Sequence, residues 1–337
     1  MKRFLFIILC SFVLGQQQVT GLEKTKSVVK SFEKWLSSTN KHLRHGSRIA
    51  ETPNGPIEYV IDGSGPAVLC LHGGFGGYDQ GRLIGQSLAA HGFAVISPSR
   101  PGYLRTPLSV GQTIEQQADA MVALLDAIGI QQVVVLGFSA GAPVAFEVAI
   151  RHPDRVTGLV LECLGSQPNQ AAMYQLVLDI LKYDTVADFA SWLFYLTLKE
   201  EPKPTYAFTL ASDNSLSAHE LAERIEFVLE HKSQKRFLRR FLHTTMPLSP
   251  RSAGTENDIS NLDPWPTFHY NLLKAPTMII QALADSNGSY PEAQVVASQI
   301  PGSQLVTVEQ SGHFIWLGKY THKWEKKLVR FVRDHQP

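Results

Sequence analysis

The stretch Val133-Val134-Val135-Leu136-Gly137-Phe138-Ser139-Ala140-Gly141 constrains this chain more than any other. Its apolar, β-branched opening reads as a buried strand. The strand meets a G-x-S-x-G at residues 137–141, and helical spacing follows at once over 142–151. A serine on a sharp strand-to-helix turn sits in strained backbone. Bulk two residues to either side would collide across the turn, which accounts for both glycines. Pro143 suits the first helical turn, where its missing N–H is not needed. Ser139 is therefore expected to stand clear of the sheet, beside a helix N-terminus that favours negative charge.

The flanking sequence extends the strand–helix alternation. Residues 48–62 hold two extended runs around Pro53-Asn54-Gly55-Pro56, which predicts a hairpin. A buried strand over 67–71 ends in His72-Gly73-Gly74-Phe75-Gly76-Gly77. The pattern predicts a helix over 82–91, a strand over 93–97, a helix over 113–128 and a strand over 156–162. From 164 to 273 the alternation stops, and a helix-rich insertion carries aromatics at Tyr174, Phe189, Trp192, Phe194, Tyr195 and Phe208. A basic patch there, Lys232, Lys235, Arg236, Arg239 and Arg240, reads as a solvated helix face. Alternation resumes with a strand over 276–282, a helix over 291–298, a strand over 305–308 and a closing helix over 324–332. Such alternation predicts a mostly parallel sheet with helices on both faces.

The 337 residues suffice for a large core, and a net charge of +1 excludes a strong nucleic-acid footprint. Three cysteines are too few for a disulfide framework. Cys70 and Cys163 end apolar runs and read as buried free thiols, while Cys10 lies in a leader. Residues 1–15 have the form of a signal peptide: Lys2 and Arg3, an apolar run over 4–14, then Gly15. The chain is thus expected to be exported, secreted or periplasmic, with an uncleaved membrane anchor as the alternative. Residues 16–47 form an N-terminal helical segment or linker, with Val28, Phe32, Trp35, Thr39 and Leu43 at helical spacing. It is expected to dock on the body, the alternative being peripheral contact with an anionic membrane surface. The expected division is a core over 48–163 and 274–337, with a helical cap over 164–273.

In parallel sheets of this kind, sites form outside the carboxyl ends of the strands. Those ends carry Gly74 and Phe75, Ser139, Asp285 in Leu283-Ala284-Asp285-Ser286-Asn287, and His313 in Ser311-Gly312-His313. Acyl transfer needs this set: a serine nucleophile, a histidine base, a carboxylate to orient it and amides for the oxyanion. Asp258, Asp263 and Glu162 compete with Asp285 for the carboxylate role. Asn287-Gly288-Ser289 is formally a glycosylation sequon, read as incidental so close to Asp285. No clustered His/Cys/Asp/Glu metal spacing is visible, and the glycine loop lacks the lysine of a phosphate cradle, so no cofactor is expected.

These motifs, together with His72-Gly73-Gly74 and Arg151-His152-Pro153-Asp154-Arg155-Val156, resemble the α/β-hydrolases, in the lid-bearing group of esterases, lactonases and carbon–carbon hydrolases. The chain order Ser, Asp, His is that family's. The resemblance implies Ser139 as nucleophile, His313 as general base, Asp285 as orienting acid, and the amides of Ala140 and Gly74, or Phe75, as oxyanion donors. It also implies a structural role for His72. A serine in the elbow departs from the dehalogenase and epoxide hydrolase pattern, which has Asp there. Phe75 and Ala140 depart from the proline iminopeptidase pattern. The resemblance therefore implies an ester or lactone hydrolase acting on a small, largely apolar substrate. Its alternatives are a carbon–carbon hydrolase and a ligand-binding, receptor-like protein with vestigial turnover.

Overall fold

The computed structural model describes residues 21–164, 171–263 and 266–337. The expected leader with Cys10, and the side chain of Tyr174, lie outside what is described. Eight strands form one sheet in the order β1-β2-β4-β3-β5-β6-β7-β8. They are β1 (Arg48–Thr52), β2 (Gly55–Asp62), β3 (Ala67–Leu71), β4 (Ala94–Pro98), β5 (Val133–Phe138), β6 (Val156–Glu162), β7 (Thr277–Ala282) and β8 (Gln304–Val308). The hairpin β1–β2 closes at Thr52 opposite Gly55, and β2 runs antiparallel to β4. From β4 to β8 every pairing is parallel.

Strand residues are apolar on both sides because both faces are covered. Leu69, Val135, Leu161 and Ile279 point to a core shared with helices α4 (Ile114–Ala127) and α5 (Ala142–Arg151). Cys70, Leu136, Val160 and Ile280 point to the opposite core. That core is closed by α2 (Tyr78–Ile84), α3 (Gln86–Ala90) and Trp324, Leu328 and Phe331 of the C-terminal helix. The sequence predicts one helix over 82–91. The structure starts it at Tyr78 and breaks it at Gly85, where a Cβ would lie 2.5 Å from Val95 Cγ1. A capping box between Thr113 and Gln116 sets the start of α4.

The insertion between β6 and β7 is mostly helical over its described residues. It comprises α6 (Ala171–Leu181), α7 (Asp184–Glu200), α8 (Pro202–Ser212), α9 (Ala218–Glu230), α10 (Lys232–His243) and α11 (Ser252–Asn261). Its own apolar cluster joins Tyr206, Leu210, Val228, Leu238 and Leu242 to Leu317 of the core. Two buried arginines fasten it down. Arg251 of the insertion meets Asp79 at 2.8 Å, and Arg100 of the core reaches Asp258 on α11 at 2.8 Å. The N-terminal helix α1 (Gly21–His45) docks on α7, with the Phe32 ring 5.5 Å from Phe189 and 5.9 Å from Trp192. The remaining helices are α12 (Tyr290–Gln299) and α13 (Thr321–Asp334).

Candidate active site

Ser139 follows β5 directly and has φ of 51°, the left-handed region that side chains rarely adopt. Only a crowded turn holds it there. A Cβ on Gly137 would lie 2.6 Å from Ala145 Cβ, and one on Gly141 would lie 2.5 Å from the His72 carbonyl oxygen. Both positions accept glycine alone, because α5 must spring from the strand end while pressed against the end of β3.

Two loops complete the constellation. Asp285 follows β7 and is nearly buried. The amides of Asn287 and Gly288 donate to its Oδ1 at 2.8 and 2.9 Å, and Gln281 Nε2 donates to Oδ2 at 2.9 Å. His313, buried after β8, places Nδ1 3.0 Å from both carboxylate oxygens. Its Nε2 lies 3.0 Å from Ser139 Oγ. With the Nδ1 proton directed at Asp285, Nε2 is left as an acceptor for the serine hydroxyl.

The glycine loop after β3 faces the same serine. A Cβ on Gly73 would lie 3.1 Å from Ser139 Cβ. The Gly73 amide donates to Gln80 Oε1 at 2.9 Å, and the Gly76 amide donates to the Gly73 carbonyl at 3.3 Å. Gly74, beside which a Cβ would meet nothing within 4 Å, and Phe75, at φ 56°, occupy the bend between them. His72 sits beneath this loop. Its Nε2 accepts the Arg100 amide at 3.0 Å, and Nδ1 is 2.7 Å from the Gly73 carbonyl. Burial, with Arg100 beside it, holds the His72 ring far below the usual histidine range, so it stays neutral. Its hydrogen bonds tie the loop to the strand end.

The chain matches the alpha/beta hydrolase fold family over residues 66–320, three quarters of its length. It belongs to that family. It is 27% identical over 288 residues to an uncharacterized hydrolase, YcgS, of Bacillus subtilis (strain 168), covering 83% of this chain and 96% of the relative. An alpha/beta hydrolase fold protein from Nakamurella multipartita is 28% identical. It superposes with a TM-score of 0.76, over 85% of this chain and 99% of that one. A thermophilic esterase from Thermogutta terrifontis shares the fold at 20% identity and a TM-score of 0.60, over 86% and 99% of the two chains.

The electrostatics of this α/β-hydrolase centre on His313. Burial alone would lower its pKa. The adjacent Asp285 carboxylate, with Asp213 further off, more than offsets that, and the ring is held above the usual histidine value. The competing acids lie elsewhere. Asp258 bonds to Arg100 and to the Tyr103 hydroxyl, and Asp263 is exposed. Glu162 is fully buried with no hydrogen-bond partner among the described residues, and burial pushes it up to about 8.

Cys163, Asp285 and His313 hold their potential ligand atoms within 4.8 Å of one another. The Cys163 thiol, however, donates to the His313 carbonyl at 3.0 Å, and burial pushes its pKa well up. A neutral thiol is a poor metal ligand. It reads as a buttress of the histidine loop, in keeping with its φ of 52°.

Some supporting residues carried no signal in the sequence. Gln80, Gln281 and Asp213 each bond to a loop of the site. Only the offset of four from Gln281 to Asp285, spanning one strand end, hinted at a local contact.

Proposed function

We propose that this protein is a serine hydrolase that cleaves a carboxylic ester or lactone through an acyl-enzyme on Ser139. The observation that carries the reading is the connected run Ser139 Oγ, His313 and Asp285, with each link at 3.0 Å. His313 Nε2 takes the hydroxyl proton as Oγ attacks the carbonyl carbon. Asp285 holds the ring tautomer and stabilises the imidazolium that forms. The amide of Ala140, next after the nucleophile, and that of Gly74 or Phe75 receive the oxyanion. His313 then protonates the leaving alcohol. Water, deprotonated by the same nitrogen, releases the acid and restores the serine.

A helical insertion that shapes the pocket would favour a small to medium, largely apolar and uncharged substrate, since an enclosed site excludes water and favours apolar groups. Hydrolysis of p-nitrophenyl esters of increasing acyl length tests the reading. A burst of p-nitrophenol stoichiometric with enzyme, absent in Ser139→Ala, is expected. A folded enzyme that turns over no member of the series and no lactone would contradict it.

A further inference from the structure

The helical insertion does more than lie over the core, because its backbone is part of the wall behind the catalytic loops. The Asp213 carbonyl, just past the end of α8, accepts the His313 amide at 2.8 Å and the Ser286 amide at 3.4 Å. Asn214 forms a β-bridge with Asp285, and the Ser215 amide donates to the Ala284 carbonyl at 2.8 Å. One short segment of the insertion thus bonds to both the acid loop and the base loop. Gly312 permits the approach, since a Cβ there would collide with the Asp213 carbonyl oxygen. The glycine of Ser311-Gly312-His313 is accounted for by the insertion passing over it.

The side chain of Asp213 strengthens the link. Its Oδ2 accepts the Phe314 amide at 2.9 Å. Arg224 on α9 grips both of its carboxylate oxygens, at 2.6 and 2.9 Å. The same guanidinium donates to the carbonyls of Phe314 and Leu317 at 3.2 Å. Both side chains are 1% exposed. Three hydrogen bonds therefore hold the segment that follows His313, two more lock Arg224 to Asp213, and charge assistance strengthens them.

We propose that Asp213 and Arg224 are positioning residues for His313, so that the insertion completes the acid–base geometry. The proposal rests on the reading of His313 as general base. Neither residue touches the reacting atoms. They set the height and tilt of the imidazole between Asp285 and Ser139, where a displacement of about 1 Å costs roughly a hundredfold in rate. They also set the local charge. The groups that face His313 are Asp285 from the β7 loop, the neutral Cys163 thiol after β6, and the Asp213–Arg224 pair from the insertion. The negative member of that pair bonds directly to the histidine loop.

The test is the pH dependence of kcat and kcat/KM with a p-nitrophenyl ester, measured for wild type, Asp213→Asn, Arg224→Gln and the double variant. The double variant leaves no unpaired buried charge, so it remains interpretable where a single variant fails to fold. We expect kcat to fall about 10- to 100-fold in each, with KM within about twofold. The acid limb should move to lower pH in Asp213→Asn, which strands a cation, and to higher pH in Arg224→Gln, which strands an anion. In the double variant the limb should return toward wild type while kcat stays low. A folded double variant with wild-type kcat overturns the proposal. Loss of kcat in folded single variants with neither limb displaced marks a purely structural pair and overturns it too. A wild-type enzyme without activity and without an activated serine removes the catalytic reading itself, an outcome distinct from both.

Discussion

His313 Nδ1 lies equidistant, at 3.0 Å, from the two carboxylate oxygens of Asp285. That carboxylate has no freedom to turn away, because two backbone amides and Gln281 occupy its other acceptor positions. Asp285→Asn keeps the shape but offers an N–H toward Nδ1. The ring then carries its proton on Nε2, where it cannot accept from Ser139. We expect kcat to drop about 10³- to 10⁴-fold with little change in KM. Steady-state kinetics on the folded variant checks this, and a loss below tenfold would place the orienting acid elsewhere.

The pH profile follows from the direction of the His313 shift. In the proposed role His313 must be neutral to accept the serine proton, and Asp285, against the effect of burial, holds its pKa above 6.5. The acid limb of kcat/KM is therefore expected above 6.5, with activity rising through it. The same shift has a consequence for stability. A folded pKa above the unfolded one stabilises the native state fully below 6.5, and that contribution is lost as pH rises through the folded value. His313→Gln should accordingly narrow the gap to wild type in thermal melts as pH increases across that window.

Glu162 predicts a stability change away from the chemistry. Its carboxyl is buried without a hydrogen-bond partner among the described residues, and burial, with a smaller contribution from Glu325, raises its pKa from 4.5 to about 8. Below pH 4.5 both folded and unfolded chains carry the proton, so the group is neutral in its effect. Between 4.5 and 8 the unfolded chain releases the proton and the folded one retains it, which destabilises the fold increasingly with pH. Glu162→Gln should raise stability at pH 8 by an amount of the order of a few kcal/mol and change little at pH 4. Denaturant titrations at the two pH values read this directly.

Two neighbouring glycines should respond in opposite ways. A Cβ on Gly73 would lie 2.8 Å from the Phe138 ring and 3.1 Å from Ser139 Cβ, whereas one on Gly74 meets nothing within 4 Å. Gly73→Ala should destabilise by about 1–3 kcal/mol through overpacking. Gly74→Ala should leave stability within about 0.5 kcal/mol, since its methyl meets nothing, yet lower kcat if the Gly74 amide is the proposed oxyanion donor and the added side chain disturbs it. Paired melting and kinetic measurements on the two variants separate these effects.

The elements that carry the site were legible because their signals are local. The run of β-branched residues before Gly137, the glycines spaced around Ser139, and an acid and a histidine each following an apolar run depend on a few adjacent residues. Those three runs became β5, β7 and β8, parallel strands with only β6 between the first two, so their ends converge. The break at Gly85 was not legible, since its cause is Val95, a residue on the neighbouring strand. Asp213 was silent for the same reason on a larger scale: it meets Phe314 across 101 residues of sequence, and no periodicity encodes that pairing. The arginines of the insertion look alike in sequence. Arg224 and Arg251 are buried in ion pairs, while Arg236 and Arg239 are exposed on α10.

The most direct test of the account is covalent labelling by a fluorophosphonate, with the modified residue located by mass spectrometry. Stoichiometric labelling of the wild-type enzyme at Ser139 is expected, with none in Ser139→Ala and a rate reduced by several orders of magnitude in His313→Ala. Folded wild-type protein that remains unlabelled, or labels equally fast without His313, would contradict it.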